Sequence, residues 1–308
     1  MIAFVFPGQN SHYVGMGRDL YEAGGPGRAV LEVAEATLGA ELLGVMFQGP
    51  KEALTRTNNQ QPAIVAHSLA ALAELRAAGI EPQFVAGHSL GEYSAVACAG
   101  CLPPEQVLEL VRFRGELMAR AGDGAPGAMA AVLGLETEAV EAAVEAARED
   151  GTVVVANYNS PGQVVISGEV GAVSRARELC TQAGAKRVVP LDVSGAFHSP
   201  LMAAAAEPLI ARLAELDLRP AALPVVSNVD AQPRTDADQI RLALGRQMTG
   251  SVLWEQSVRR LAQEGVDTFV EVGPGTVLAK LIARIDRSLT VLGADTAADV
   301  AAVVRQLG

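Results

Sequence analysis

The sequence predicts an α/β protein with a mostly parallel sheet and a smaller inserted sheet. Short apolar runs alternate with longer helical patterns along 308 residues, which is typical of a parallel sheet covered by helices. Several runs are apolar along their whole length, as expected of strands that are buried on both faces. We find no internal repeat and no low-complexity linker, so we expect one large α/β core.

The elements of this core follow in chain order. Short β-type runs predict strands at Ile2–Phe6, Gln83–Ala86, Arg187–Val193, Val225–Asn228 and Thr268–Val272. Apolar residues at helical spacing predict helices at about Pro62–Ala78, Pro104–Ala121, Pro200–Leu216 and Ser251–Glu264.

One stretch departs from this alternation. After a Gly-rich segment, the patterns predict strand, helix, strand, strand, helix and strand, at Ala128–Leu133, Glu136–Asp150, Thr152–Asn157, Gln163–Ser167, Val170–Ala183 and from Arg187. This β-α-β-β-α-β order is the ferredoxin-like arrangement. We therefore divide the chain into a core of residues 1–124 and 191–308 and a ferredoxin-like subdomain of residues 125–190.

Composition excludes several functions. With 24 Lys and Arg against 35 Asp and Glu, the net charge of −11 argues against nucleic-acid binding. No apolar run reaches the roughly 20 residues that span a bilayer, and the first residues lack the pattern of a signal peptide. Three cysteines suit a reducing cytoplasm, and Cys98 and Cys101 lack partners for a metal site, so we expect them to pack in the core.

The segment Gly87-His88-Ser89-Leu90-Gly91 carries the strongest chemical signal. It is a G-x-S-x-G motif between a predicted strand and a predicted helix, the setting of a nucleophile elbow. The serine hydroxyl would then project at a helix N-terminus, where free N–H groups can hold an oxyanion. The alternative is an ordinary Ser helix cap.

Four histidines could supply a general base. His88 adjoins Ser89 and should point away from it, and His67 lies within a helical pattern. His198 follows a predicted strand and precedes a helix start, so it can reach the serine hydroxyl. His12, in the loop after the first strand, remains a candidate base. The alternative for His198 is a loop histidine that has no catalytic role. The sequence does not decide which group orients the imidazole: Asp192, Asp230 and a backbone carbonyl are all candidates.

Arg114 interrupts an apolar stripe in the helix predicted at Pro104–Ala121. A buried guanidinium needs an anionic partner, and no acidic residue lies three or four positions away. The partner is then a substrate carboxylate held by two guanidinium N–H groups or a distant Asp or Glu, unless the side chain extends to solvent instead.

Seven ordered motifs extend along nearly the whole chain: Phe6-Pro7-Gly8-Gln9, Gln61-Pro62-Ala63, Gly87-His88-Ser89-Leu90-Gly91-Glu92, Val111–Met118, Ala196-Phe197-His198-Ser199, Ser227-Asn228-Val229 and Glu271-Val272-Gly273-Pro274-Gly275. Together they resemble the motifs of malonyl-CoA:acyl carrier protein transacylases. The resemblance implies a hydrolase-like α/β core with a ferredoxin-like subdomain, in agreement with the patterns above.

The resemblance also assigns roles to residues. It implies that Ser89 is acylated, that His198 is its base and that Arg114 binds the malonyl carboxylate. The oxyanion hole would consist of Gln9 and the Leu90 backbone N–H. The resemblance places the His-orienting carbonyl on Leu253, and it implies that Met118 and Phe197 shape the acyl site.

The implied reaction is ping-pong transfer of malonyl from coenzyme A, through an acyl-serine, to the phosphopantetheine thiol of acyl carrier protein. It needs no cofactor or metal, and we expect a cytoplasmic monomer. A polyketide-pathway acyltransferase, a serine thioesterase and a non-catalytic carrier-protein-binding module are the alternatives. The first loop departs from the family at Asn10 and His12, although Asn tolerates the left-handed backbone of the usual Gly; Ser251 replaces a common Pro.

Overall fold

The computed structural model describes residues 1–124, 127–193 and 195–308. The strands are β1 (Ile2–Phe6), β2 (Phe84–Gly87), β3 (Gly127–Leu133), β4 (Val153–Ser160), β5 (Gln163–Glu169), β6 (Arg187–Pro190), β7 (Val225–Val226), β8 (Pro233–Arg234), β9 (Thr268–Val272) and β10 (Thr290–Ala294). The helices are α1 (Arg18–Ala23), α2 (Pro26–Leu38), α3 (Glu41–Gln48), α4 (Lys51–Thr55), α5 (Thr57–Ala77), α6 (Gly91–Cys98), α7 (Pro104–Gly124), α8 (Thr137–Ala147), α9 (Val170–Gln182), α10 (Ala203–Glu215), α11 (Ala237–Gln247), α12 (Trp254–Gln263), α13 (Val277–Ile285) and α14 (Ala297–Leu307).

The larger sheet is parallel except at one edge. Its six strands lie in the order β10-β9-β1-β2-β7-β8, and only β8 runs antiparallel to its neighbour. Helices cover both faces of this sheet, so alternate side chains of β1 pack into two different hydrophobic clusters. Phe4 and Phe6 pack towards α5 and α6, whereas Ala3 and Val5 pack towards α12 and α13. This two-sided burial explains the unbroken apolar runs of the sequence.

The second sheet is antiparallel, in the order β4-β5-β3-β6, with α8 and α9 packed on one face. The predicted fold class, a mainly parallel core with a separate small sheet, is therefore confirmed. The division at residues 124/125 and 190/191 stays a prediction, and residue 125 itself lies outside the described residues.

Several element boundaries differ from the sequence prediction. The strand predicted at Arg187–Val193 ends at Pro190, whose missing N–H cannot continue the ladder. Helix α5 begins at Thr57 instead of Pro62, because the N–H groups of Asn59 and Gln60 bond to the Arg56 carbonyl and form an earlier turn. The sequence patterns also left α1 to α4, β8, β10, α11, α13 and α14 unpredicted.

The fold brings the functional region to one edge of the larger sheet. In open α/β sheets, ligands bind at the carboxyl ends of the strands, and here the loops after β1, β2 and β7 meet at that edge. Backbone hydrogen bonds between β4 and Val252 join the second sheet to this region. The Val252 N–H donates to the Ala156 carbonyl at 2.8 Å, and the Tyr158 N–H donates to the Val252 carbonyl at 2.9 Å. None of the helices within the described ranges is long and apolar enough to cross a membrane.

Candidate active site

The turn between β2 and α6 is a nucleophile elbow. Ser89 adopts a left-handed backbone with φ of 50°, a conformation that costs a non-glycine residue free energy. The flanking glycines make this turn possible. A Cβ on Gly87 would lie 1.9 Å from the Gly91 carbonyl carbon, and a Cβ on Gly91 would lie 1.9 Å from the Phe6 carbonyl oxygen. The spacing of the G-x-S-x-G motif therefore follows from backbone packing against the end of β1.

Two buried amide side chains hold the backbone of the elbow. The Asn228 Oδ1 atom accepts a hydrogen bond from the Ser89 N–H at 2.7 Å, and its Nδ2 donates to the Gly87 carbonyl at 2.6 Å. From the other side, Gln247 Nε2 donates to the Ser89 carbonyl at 2.8 Å. Neither residue was assigned a role from the sequence. The one available signal is that Asn228 is the second residue after β7, at the edge of the sheet where β2 also ends.

His198 lies against the serine hydroxyl, as predicted for the general base. Its Nε2 atom is 2.7 Å from Ser89 Oγ, and its Nδ1 atom faces the carbonyls of Gln247 at 2.9 Å and Gly250 at 3.2 Å. Because carbonyls only accept, Nδ1 carries the proton and Nε2 is free to accept from the hydroxyl. Burial and then the Arg114 charge lower the pKa of His198 to about 3, so the imidazole is neutral at neutral pH.

The prediction that Leu253 supplies the orienting carbonyl is wrong. The Leu253 carbonyl lies at the start of α12, where it accepts from the N–H and the hydroxyl of Ser257 at 2.9 and 2.8 Å. The carbonyls that reach His198 belong to Gln247, the last residue of α11, and to Gly250. The last carbonyls of a helix have no partner within the helix, so they can accept from a side chain. Neither Asp192 nor Asp230, the carboxylates that the sequence left open, contacts the imidazole.

Arg114 is fully buried beside the serine. Its Nη2 atom donates to Ser89 Oγ at 3.0 Å and to Gln247 Oε1 at 3.2 Å, and its Nη1 donates to Gln61 Oε1 at 2.8 Å. The guanidinium carbon also lies 5.4 Å from the centre of the Tyr93 ring, within cation–π range. Arg114 makes no ion pair with any acidic side chain of the residues that the structure describes. The distant Asp or Glu allowed by the sequence is therefore not found among them.

A buried carboxyl group lies behind the elbow. Glu92 Oε2 accepts hydrogen bonds from Gln247 Nε2 at 2.7 Å and from the Asn228 N–H at 3.3 Å. Burial raises the pKa of Glu92 to about 7, against the lowering effect of these hydrogen bonds. Glu92 thus anchors the side chain of Gln247 and the backbone of Asn228, the two residues that hold Ser89. This role was not predicted from the sequence.

The other histidines lie away from the serine hydroxyl. His12 contacts Thr55 Oγ1 at 3.1 Å, and burial and then the Lys51 charge lower its pKa. His67 is buried against the Asp295 carbonyl at 2.7 Å. His88 contacts Asn159 of β4 at 2.8 Å. Among the four histidines, His198 is the one in hydrogen-bond distance of Ser89.

An open cleft of about 170 Å³ leads to Ser89 and His198, and its lining includes Gln9 and Phe197. The Leu90 N–H, at the N-terminus of α6, has no acceptor among the described residues. Met118 is not part of this lining; it is buried and accepts a hydrogen bond from Gln61 Nε2 at 3.2 Å. The described part of the chain contains no group of three or more His, Cys, Asp or Glu side chains arranged to hold a metal ion.

Two departures from the family motifs are accommodated. Asn10 has φ of 70°, so this asparagine adopts the left-handed backbone that the sequence predicted it would tolerate. Ser251 replaces a common proline, and its hydroxyl donates to the Val155 carbonyl at 2.6 Å. This bond adds a contact between the residues before α12 and the second sheet. Cys98, Cys101 and Cys180 are free and buried, which confirms the packing expected for the first two.

Comparison with known proteins identifies the family. The acyl transferase domain model matches residues 3–306. The chain is 45% identical to the malonyl CoA-acyl carrier protein transacylase of Bacillus subtilis strain 168, over 94% of this chain and 91% of that protein. It is 44% identical to the Escherichia coli K12 protein of the same name, over 94% of both.

Solved structures agree with this assignment. An acyl carrier protein S-malonyltransferase from Vibrio cholerae has a TM-score of 0.94 at 42% identity, with 98% of this chain and 99% of that chain covered. A malonyl-transacylase in complex with its type II polyketide synthase acyl-carrier protein has a TM-score of 0.93 at 39% identity, with 99% of both chains covered. On the strength of its sequence, its fold and the arrangement around Ser89, this chain belongs to the acyl transferase family that includes the malonyl CoA-acyl carrier protein transacylases.

Proposed function

We propose that this chain transfers the malonyl group of malonyl-CoA to the phosphopantetheine thiol of acyl carrier protein, through a malonyl ester on Ser89. The observation that carries the proposal is the position of Ser89 Oγ, 2.7 Å from His198 Nε2 and 3.0 Å from Arg114 Nη2. A general base and a buried cation therefore meet at one hydroxyl. The names of the relatives supply the donor and the acceptor of the acyl group.

In the first half-reaction, His198 Nε2 takes the Ser89 proton as Oγ attacks the thioester carbonyl. The Leu90 N–H and Gln9 stabilise the resulting oxyanion. Coenzyme A leaves as the thiol, with the proton returned by His198. The Gln247 and Gly250 carbonyls hold the Nδ1 proton throughout, so they keep the imidazole in the tautomer that accepts at Nε2.

Arg114 selects the acyl group in this mechanism. The malonyl carboxylate is separated from the ester carbonyl by one methylene, so an acyl group on Oγ brings its carboxylate next to the guanidinium. The two guanidinium N–H groups can bind both carboxylate oxygens. Phe197 lines the cleft beside the base, and Met118 packs against Gln61, which in turn contacts Arg114. In the second half-reaction the carrier thiol gives its proton to His198 and attacks the ester carbonyl. His198 then returns the proton to Ser89 Oγ as the ester C–O bond breaks.

The thioesterase alternative fits this site less well. It predicts an acid that orients the histidine and has no need of a buried arginine, whereas His198 faces two carbonyls and Arg114 is buried beside Ser89. A non-catalytic carrier-binding module has no need of the hydrogen-bonded serine and histidine. A polyketide-pathway acyltransferase would use the same chemistry on another carrier protein, and the names of the curated relatives favour the function proposed above.

We also infer a cytoplasmic location, which agrees with three free, buried cysteines. The monomeric state expected from the sequence remains a prediction.

Intact mass measurements test the proposal. We expect malonyl-CoA to add one malonyl group to the native chain and none to Ser89→Ala, and holo acyl carrier protein to remove that group. Acetyl-CoA should load far more slowly, and Arg114→Ala should abolish the difference between the two donors. An adduct on Ser89→Ala contradicts the nucleophile, and a retained malonyl preference in Arg114→Ala contradicts the carboxylate site.

A further inference from the structure

The acceptors around Arg114 are all uncharged. Gln61 Oε1 lies 2.8 Å from Nη1, and Gln247 Oε1 and Ser89 Oγ lie 3.2 and 3.0 Å from Nη2. Both glutamines and the arginine are fully buried. A buried arginine is usually paired with a carboxylate. This one is instead held by two carboxamides and a hydroxyl.

The orientation of each carboxamide is fixed by its other contacts. Gln247 Nε2 donates to two acceptors, the Ser89 carbonyl at 2.8 Å and Glu92 Oε2 at 2.7 Å, so Oε1 has to face Arg114. The Gln61 Nε2 atom faces the Met118 sulfur at 3.2 Å, which directs Oε1 to Nη1. Neither amide can reverse without placing N–H groups against a guanidinium, which has no acceptor.

Glu92 is the buried acid of this network, and it makes no hydrogen bond to the guanidinium. The amide of Gln247 lies between them, since its Nε2 bonds to Glu92 and its Oε1 to Arg114. Burial raises the pKa of Glu92 to about 7, so near neutral pH this carboxyl is ionised only in part. The arginine charge is therefore not cancelled by a direct partner.

We infer that Gln61 and Gln247 are specificity-determining positioning residues, because they orient the Arg114 guanidinium without neutralising it. This inference rests on the proposed function, in which Arg114 binds the malonyl carboxylate. A carboxamide oxygen accepts a directional hydrogen bond from an N–H group, but the carboxamide carries no net charge. A carboxylate at the same place forms a charged pair that an incoming malonyl group has to displace.

The test is Gln61→Glu, a change of nearly equal size that places a carboxylate 2.8 Å from Nη1. We expect the rate of Ser89 acylation by malonyl-CoA to fall at least thirtyfold and the rate with acetyl-CoA not to fall. Both rates are measured by intact mass at short times. An equal fall with both donors, or a malonyl-to-acetyl ratio within threefold of the native value, overturns the inference.

Asn59→Asp is the matched control. Asn59 lies in the same helix as Gln61, and its Oδ1 accepts from Arg112 of α7 at 3.4 Å, outside the site. It adds the same charge beside an arginine of the same helix as Arg114. The ratio of malonyl to acetyl loading should stay within threefold of the native value. A change as large as that of Gln61→Glu means that any added charge lowers malonyl loading, which contradicts a role specific to Arg114.

Gln61→Met keeps the test decisive if Gln61→Glu fails to fold. It removes the acceptor but adds no charge, so it loosens the guanidinium without neutralising it. We expect malonyl loading to fall five- to tenfold and acetyl loading to be unchanged; an equal change in both overturns the inference.

Arg114→Ala separates the two proposals. If it retains the malonyl preference, the proposed carboxylate site fails, whereas if it loses the preference and Gln61→Glu retains it, only the role of Gln61 fails.

Discussion

The low pKa of His198 makes the stability of the protein depend on pH. The imidazole titrates at about 3 in the folded chain against 6.5 for an unperturbed histidine. Between these values the unfolded chain binds a proton that the folded chain does not, so stability falls as the pH falls from about 6.5 towards 3. With these two pKa values, the loss at pH 5 relative to pH 8 is about 2 kcal/mol.

His198→Gln removes this contribution, so its free energy of unfolding should decline about 2 kcal/mol less than that of the native chain between pH 8 and pH 5. Ser89→Ala keeps the buried imidazole and should decline as the native chain does. Other groups titrate in all three proteins. Glu92, with its raised pKa of about 7, acts in the opposite direction, because its burial destabilises the fold as the pH rises from about 4.5 to 7. Comparing variants at each pH removes such common contributions.

The assay is urea unfolding at several pH values, followed by the fluorescence of the single tryptophan, Trp254. Trp254 is fully buried and its ring lies 5.7 Å from that of His88, so unfolding should change its emission strongly. If the unfolding free energies of His198→Gln and the native chain decline equally, within about 0.5 kcal/mol, the imidazole is not held neutral and the reasoning fails.

Three further predictions concern the backbone around the site. Asn228→Ala should slow Ser89 acylation ten- to a hundredfold in rapid-quench mass measurements, because the elbow loses the bonds to the Ser89 N–H and the Gly87 carbonyl; a rate within threefold of native contradicts this role. Gly91→Ala should lower the free energy of unfolding by more than about 3 kcal/mol, because the new Cβ would lie 1.9 Å from the Phe6 carbonyl oxygen. Gly44→Ala, by contrast, should raise it by ~0.5 kcal/mol, because Gly44 lies in α3 with open space around it. Asn10→Gly should leave the thermal midpoint nearly unchanged and Asn10→Val should cost about 1–2 kcal/mol, because φ is 70° there; equal midpoints would show that the left-handed turn is not strained.

The parts of the site that the sequence predicted are those encoded locally. The elbow depends on five consecutive residues between a strand and a helix, and the small residues at its two ends are enough to indicate the turn. Arg114 was visible because it breaks an apolar stripe with helical period. His198 could be selected because only four histidines had to be compared.

The supporting residues were not predictable, because their partners are distant in sequence. Gln247 lies 158 residues from the Ser89 carbonyl that it binds, and Asn228 lies 139 residues from the Ser89 N–H. A glutamine in an amphipathic helix shows no sign in the sequence that it is buried. The error at Leu253 has a related cause, since α11 was not predicted from the sequence and the free carbonyls at its C-terminal end were therefore not considered.

The buried arginine links binding to basicity in the proposed mechanism. The Arg114 charge is the second largest cause of the low pKa of His198, after burial. A malonyl carboxylate on the guanidinium offsets that charge, so the imidazole becomes a stronger base when the correct acyl group is present. An acetyl group brings no such charge and leaves the base weak. The enzyme then discriminates between the two donors in the acylation step as well as in binding. Both contributions change the ratio of the kcat/KM values for malonyl-CoA and acetyl-CoA. Uncharged acceptors around Arg114 are what keep this charge available to the substrate.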